Sequence, residues 1–452
     1  MWSILKALRD KPEILYESQK RRGLSLEVVD RAIELDKKWR EKLKETNMLR
    51  KKRNELSRLL KDKKDQKLIE EAKKLSEEVK KAEEELGRIE KEVEAILLSI
   101  PNIVHETVPI GKDDSENVPI RYWGKAKVYF EDVDEFVKKT SGKAEYEVVD
   151  FKPVSHADAV EFFGWADLAR AGKVAGSRFY YLHEDLLWLD LALTLYAMDL
   201  LASRGFRLIF PPFMLKKSAY EGVTAFSDFE DVIYKIEGED LHLIATSEHA
   251  IAAMHMKETL EESELPLLYA GFSPCFRKEA GAHGKDTKGI FRVHQFNKVE
   301  QFVFCLPEQS WEWHEKLLEN AEKLWQGLGI PYRVVNICTG DLGIVAAKKY
   351  DLEAWMPSQA TYREMVSCSN CTDWQSYRLD IRYVEKRGMP SKGFVHTLNS
   401  TAIATTRAIT AIIENYQLED GRIEIPKVLR KYLENIPSAP KDYIMPKSSR
   451  RA

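Results

Sequence analysis

Phe276-Arg277-Lys278-Glu279-Ala280-Gly281-Ala282-His283-Gly284-Lys285-Asp286-Thr287-Lys288-Gly289 leads through Ile290-Phe291-Arg292-Val293-His294-Gln295-Phe296 to Asn297-Lys298-Val299-Glu300. A glycine-rich, charged loop thus lies between two strand-like runs, Leu267 to Glu279 and Ile290 to Phe304, which predicts a long β-hairpin with a mobile tip. Residues two apart in a strand share a face, so Arg277 and Glu279 project together on the incoming strand. On the outgoing strand Arg292, His294, Phe296, Lys298 and Glu300 do the same. Arginine can neutralise phosphate oxygens, a flat ring can stack on a base, and carboxylates can hold an ammonium group or Mg²⁺. A solvated strand face with fortuitous ion pairs has the same composition, and this stretch alone does not separate the two readings. Neither a Walker loop nor a G-x-G-x-x-G fingerprint occurs in the sequence, so a nucleotide site here requires another design.

The chain has 452 residues, 44% hydrophobic and 32% charged, enough for two to four folded units; this excludes a disordered, collagen-like or wholly membrane-embedded protein. Its net charge of -3 favours no class of partner. Five scattered cysteines and an N-terminus without an apolar leader point to a reducing cytoplasm. The most apolar stretch, Leu186 to Ala202, carries Asp190 and Asp199 and reads as a core helix rather than a membrane span.

From Val28 to Leu60 a 4,3 spacing runs through Val28, Ala32, Leu35, Trp39, Lys42, Thr46, Leu49, Arg53, Leu56 and Leu60. A cleaner one runs through Leu68, Ala72, Leu75, Val79, Ala82, Leu86, Ile89, Val93, Ile96 and Ile100. Two such runs joined at Asp62 to Gln66 predict an antiparallel coiled-coil hairpin, stopped by Pro101. Between Lys37 and Lys67 there are 14 basic and 5 acidic residues, whereas Leu68 to Ile100 has 6 and 10. The basic stripe is either solubilising surface or an arm that follows a nucleic-acid backbone. A linker near 102–120 with Pro109, Gly111 and Pro119 separates an N-terminal domain, 1–110, with its arm at about 28–100, from a second domain, 111–452. The tail from Pro437 onward reads as loosely held.

The string from Phe276 to Glu300 resembles the second signature motif of class II aminoacyl-tRNA synthetases, in the form found in seryl-tRNA synthetases. Four further segments agree, in the family's order. Arg204-Gly205-Phe206 through Ile209 to Pro211-Pro212 resembles motif 1. Thr246-Ser247-Glu248 resembles the T-x-E serine-pocket loop. Glu364-Met365-Val366-Ser367 resembles the metal and ATP strand, and Leu398-Asn399-Ser400-Thr401-Ala402 through Arg407 resembles motif 3. The resemblance implies an α+β chain: an N-terminal coiled-coil hairpin that binds tRNA(Ser), and a catalytic domain on a mixed, mainly antiparallel β-sheet flanked by helices. It implies a cytoplasmic homodimer joined through motif 1, with no membrane association, that activates L-serine with ATP and Mg²⁺ and passes it to tRNA(Ser); tRNA(Sec) is left open.

It also implies roles. Arg277 contacts the ATP α-phosphate and the seryl carboxylate; Arg407 grips the γ-phosphate; Glu364, with Ser367, holds Mg²⁺. Lys278, Glu279, Arg292, Val293, Phe296, Met365 and Val366 complete the ATP site, Phe296 by stacking on adenine. Thr246, Ser247, Glu248, Glu300, Asn399 and Thr401, with Arg277, surround serine. Ser400 and Arg407, seven residues apart, are expected on one face of the motif 3 helix, capped by Asn399 or Ser400. Glu221-Gly222-Val223-Thr224-Ala225-Phe226 departs from the family's usual Gly-Thr-Gly-Gln-like stretch, and Asn399-Ser400-Thr401 from Asn-Gly-Ser. Cys368 and Cys371 form a C-x-x-C without two further ligands, which argues against zinc; His249 and His255 read as structural. Two alternatives are an amino-acid:carrier-protein ligase paralogue, disfavoured by the intact basic hairpin, and a non-catalytic RNA-binding scaffold, disfavoured by the complete set Arg277, Glu279, Glu300, Glu364 and Arg407.

Overall fold

The computed structural model describes residues 3–62, 66–225, 230–279, 286 and 288–446. The chain divides into two units, Met1–Val104 and His105–Ala452.

In the first unit, short helices α1 (Ile4–Asp10) and α2 (Glu13–Arg21) precede two long ones, α3 (Glu27–Asp62) and α4 (Gln66–Ser99). The expected turn at 63–65 lies outside the described residues. The seam read from the 4,3 spacing is the seam that packs. On α3 no seam position is exposed and Ala32, Leu35 and Thr46 are buried; Val79, Ala82, Leu86, Ile89, Val93 and Ile100 are buried opposite. Polar seam residues find local partners. Lys42 reaches Glu85 at 2.5 Å and Glu45 at 3.1 Å, and the Thr46 hydroxyl donates to the Lys42 carbonyl. Buried Asp36 receives Arg9 and Arg40, tying α1 to α3.

The second unit is built on eight strands: β1 (Val118–Trp123), β2 (Arg207–Ile209), β3 (Leu267–Phe276), β4 (Gln295–Cys305), β5 (Tyr332–Asn336), β6 (Lys348–Met356), β7 (Thr361–Thr372) and β8 (His396–Ala404). Their spatial order is β1-β5-β6-β7-β8-β4-β3-β2, antiparallel throughout except for β3 with β2. Helices α5 (Glu184–Ser203), α6 (Ser247–Ala252), α7 (Ser310–Leu328), α8 (Trp374–Leu379) and α9 (Thr405–Tyr416) pack on it. Strand alternation sorts β4: Val299, Val303 and Cys305 enter a core shared with Leu193, Leu317, Trp325 and Ile409. Phe302 and Phe304 point the other way, into a cluster with Ile251, Ala252 and Leu379. Lys298 and Glu300 stand on that second face, which is how the site comes to be there.

Several sequence expectations need correction. The hairpin strands end sooner than the alternation suggests, at Phe276 and from Gln295: the Lys278 N–H bonds to the Val232 carbonyl instead of the partner strand, and Glu279 then adopts a left-handed φ of 50°. Arg277, Glu279, Arg292 and His294 therefore sit on the flanks of the loop, and its expected mobile tip, 280–285 and 287, lies outside the described residues. Asn399 and Ser400 do not cap a helix: both are inside β8, and α9 starts only at Thr405. The β-branched Thr397, Thr401 and Ile403, on a strand buried along its whole length, favour extended backbone there. The expected linker at 102–120 contains ordered structure. Val118–Trp123 is an edge strand, where Pro119 is tolerated, and Gly111 lies so close to Cys338 that a Cβ would meet its sulfur at 2.7 Å. The C-terminal segment is also held: Ile444 is buried, Tyr443–Ile444 pairs with Ile423–Glu424, and Trp165 donates to the Met445 carbonyl. Finally, α5 is a core helix on one face only, with Leu187, Leu191 and Leu195 exposed. It is the one helix among the described residues long and apolar enough to cross a membrane.

Candidate active site

A cavity of about 550 Å³ opens over the middle of the sheet. The period of two supplies most of its wall: Phe296, Lys298 and Glu300 from β4, Ser367, Ser369 and Cys371 from β7, and Asn399 and Thr401 from β8. A bulge in β7 pairs Leu352 with Val366 but Glu353 with Glu364, so the extra residue Met365 and its neighbour Glu364 both line the cavity. Thr246, Glu248 and His249 enter from the start of α6, Arg277 from beyond β3, Lys349 from β6 and Arg407 from the first turn of α9.

One part of the wall is cationic. Arg407 donates through Nη1 to the Glu364 carbonyl at 3.0 Å and lies 3.2 Å from its carboxylate. That neighbour, outweighing burial, holds the Glu364 carboxyl down to about 2, so it is ionised. The guanidinium groups of Arg363 and Arg407 both lie over the Phe291 ring, at 4.4 and 5.3 Å. Arg277 donates to the Ala245 carbonyl and sits 5.4 Å over the Phe296 ring.

The other part is acidic. Burial, and then the charge of Glu300, push the Glu248 carboxyl up to about 7. Its Oε1 accepts from Asn399 at 3.0 Å and Gln375 at 3.1 Å. Glu300 is almost fully buried and bonds to Lys298 at 2.5 Å, with the Thr401 hydroxyl 3.4 Å away. Thr246 caps α6 by accepting from the Glu248 N–H. Burial pushes His249 down to about 3, so it is neutral, with Nδ1 2.8 Å from the Tyr220 hydroxyl.

Eleven of the residues named from the sequence meet in this cavity: Thr246, Glu248, Arg277, Phe296, Glu300, Glu364, Met365, Ser367, Asn399, Thr401 and Arg407. The others stand off it. Ser247 is buried and donates to the Gly271 carbonyl; Val293 and Val366 are in the core; Lys278 is exposed, with Nζ 5.9 Å over Tyr234. Glu279 pairs with Arg292 at 3.0 Å on the flank of the loop. Sequence reasoning gave no role to Lys298, although the period of two placed it on the right face. It missed Gln375 outright, since nothing local marks a glutamine whose partner lies 127 residues away. Cys368 and Cys371, three apart on a strand, face opposite sides: Cys368 packs in the core beside the His314 carbonyl, Cys371 at the cavity beside Asn399. They cannot ligate one ion together. Among the described residues no group of three or more His, Cys, Asp and Glu could hold a metal.

Residues 5–104 match the family profile of the seryl-tRNA synthetase N-terminal domain, and residues 231–416 that of the tRNA synthetase class II core domain (G, H, P, S and T). The chain is 79% identical over 452 residues to the serine--tRNA ligase of Archaeoglobus fulgidus, covering 99% of this chain and all of the relative. Among solved structures it resembles seryl-tRNA synthetase from Pyrococcus horikoshii complexed with ATP, with a TM-score of 0.91 and 52% identity over 99% of this chain and 100% of that one. It also resembles the cytoplasmic serine-tRNA ligase of Naegleria fowleri in complex with AMP, with a TM-score of 0.83 and 41% identity over 97% and 96%.

Proposed function

We infer the residue roles from the premise that the chain belongs to the seryl-tRNA synthetase family of class II enzymes. It is a serine--tRNA ligase: it activates serine with ATP and transfers it to tRNA. The single observation that carries the assignment of roles is that one cavity sets two arginines, Arg277 and Arg407, against two carboxylates, Glu248 and Glu300. That distribution suits a substrate pair with phosphates at one end and an ammonium and a hydroxyl at the other.

In this reading Arg277 binds the serine carboxylate and the α-phosphate together. A carboxylate oxygen attacks the α-phosphorus, the bond to the bridging oxygen of the β-phosphate breaks, and pyrophosphate leaves. Arg277 places positive charge where the pentacovalent phosphorus gathers negative charge, and Arg407 holds the departing end; positioning and charge do the catalysis without a protein nucleophile. Phe296, already faced by Arg277, offers its ring to adenine. In the second step a terminal ribose hydroxyl of the tRNA attacks the seryl carbonyl and AMP leaves. Glu364 and Ser367 fit Mg²⁺, because an ionised carboxylate and a hydroxyl are hard oxygen donors and the phosphates complete the set. When bound, the ion neutralises phosphate charge.

Glu248, Glu300, Thr246, Thr401 and Asn399 receive the ammonium and hydroxyl of serine. Such a polar pocket rejects alanine strongly, because the missing hydroxyl leaves buried groups unpaired; threonine must be refused by shape. The basic stripe of α3 is the tRNA-binding surface, supported by its charge and by the match to the family's N-terminal domain. Homodimerisation through the motif 1 region is supported by the exposed apolar side chains Leu187, Leu191, Leu195, Leu208 and Phe210. The test of the site is amino-acid-dependent exchange of pyrophosphate into ATP, with serine, threonine, alanine and glycine in parallel. Exchange with serine is expected; exchange with another amino acid and none with serine would refute the assignment.

A further inference from the structure

Behind Glu248 lies a buried layer of polar groups that closes on itself. Gln375, at the start of α8, is fully buried. Its amide nitrogen donates to the Val223 carbonyl at 3.1 Å and to Glu248 Oε1 at 3.1 Å, while its carbonyl oxygen accepts from the Thr397 hydroxyl at 2.7 Å. A main-chain carbonyl can only accept, so Val223 fixes which way the amide points, and the NH₂ group must face Glu248. Asn399 donates to the same oxygen. Both amides thus act on Oε1, and charge-assisted bonds of this kind are the stronger sort.

Val223 reaches α8 because of the residue before it. A Cβ at Gly222 would lie 2.3 Å from Leu379 Cδ2 and 2.7 Å from its Cγ, so any larger residue would have to displace the buried Leu379 side chain for the segment to approach this closely. The stretch Glu221–Phe226, which departs from the family's usual sequence, is therefore the one that supplies the carbonyl locking Gln375.

We propose that Gln375 is a positioning residue for amino-acid selection: with Asn399 it holds Oε1 of Glu248 and leaves Oε2 for the polar groups of serine. Thr397 and the Val223 carbonyl act through Gln375. Without it Glu248 would keep the Asn399 bond alone and lose a fixed orientation between Glu300, Lys298 and Arg277, the charged groups that face it. The inference rests on the reading of Glu248 as a serine-binding group.

The test is pyrophosphate exchange by the full-length protein, comparing wild type with Gln375→Met, Thr397→Val and the double variant. Losing one hydrogen bond to a charged group predicts a serine KM raised about 10- to 100-fold in Gln375→Met, with the ATP KM changed less than about twofold; the melting temperature should fall, because the Val223 carbonyl and Thr397 hydroxyl lose their buried partner. Thr397→Val, which preserves shape, should raise the serine KM by about threefold. The double variant should match Gln375→Met alone, since Thr397 acts only through Gln375. An unchanged serine KM in Gln375→Met, serine and ATP KM rising in parallel, or additive effects in the double variant would overturn the proposal. If Gln375→Met does not fold, Thr397→Val decides: a raised serine KM supports the proposal, an unchanged one refutes it. Wild type without serine-dependent exchange overturns both this proposal and the reading of Glu248. Serine-dependent exchange with an unchanged KM in the variants overturns this proposal alone.

Discussion

Arg407 holds Glu364 at two points, its Nη1 lying 3.0 Å from the main-chain carbonyl and 3.2 Å from the carboxylate of the same residue. The first turn of α9 is thereby tied to the bulge in β7, and the guanidinium is stacked over Phe291 as well. A lysine could carry the charge but not the fork or the stacking. Arg407→Lys should therefore lower the rate of exchange about 10-fold and Arg407→Ala about 100-fold, both with a raised ATP KM and an unchanged serine KM. Wild-type rates in Arg407→Lys would mean that charge alone suffices.

Glu248 gives the pocket a pH dependence near neutrality. Burial and Glu300 raise its pKa to about 7, so the carboxyl is neutral below that pH and charged above it. A neutral carboxyl no longer attracts an ammonium group. The serine KM should be flat above about pH 8 and rise as pH falls through 7, approaching tenfold per unit below it, while the ATP KM stays flat. Exchange kinetics between pH 6 and 9 check this, and a flat serine KM across the range would remove Glu248 from the substrate.

Lys298 and Glu300 form a pair whose side chains are only 6% and 2% exposed. Removing one partner leaves the other charge buried and uncompensated. Lys298→Met should cost about 3–5 kcal/mol of stability, read from urea unfolding. A cost below about 1 kcal/mol would mean that the pair is solvated in the folded protein.

Chemistry with a local signature was legible in the sequence; groups defined by tertiary pairing were not. Phe296 and Glu300 line the cavity as a strand's period of two and their residue types suggest, whereas Arg277, just beyond β3, was picked out by the signature motif around it. The α3 and α4 seam was found because it repeats. The extent of β8 was misread, since seven residues from Ser400 to Arg407 fit two helical turns as well as a strand running into a helix, and only burial on both sides settles that choice. Gln375 carries no local mark at all: its importance depends on Glu248, Val223 and Thr397 meeting around it.

The apolar stripe of α5 leads to a prediction about assembly. Leu187, Leu191 and Leu195 recur every four residues on one face and are 48%, 41% and 47% exposed, and Leu208 and Phe210 of the motif 1 region are exposed too. If that surface joins two copies, a charge placed within it must be desolvated on association. Leu191→Asp should shift the protein from dimer to monomer in sedimentation at micromolar concentration, with little change in helix content. A dimer that survives the substitution would place the interface elsewhere.

The arm can be tested without cutting it off. Lys51 and Lys52 are exposed on α3 within the basic stretch, so replacing both with alanine removes charge while keeping a good helix former at each position. Exchange of pyrophosphate needs no tRNA and should be unaffected. Aminoacylation should show a higher tRNA KM, with the larger effect at low salt than at moderate salt. Each lysine–phosphate ion pair removed should flatten the plot of log affinity against log salt by something under one unit, so the double substitution predicts a slope smaller by about one to two. If the stripe only solubilises the hairpin, neither the tRNA KM nor the salt slope will move. An altered slope with unaltered exchange therefore distinguishes a nucleic-acid surface from a merely charged one.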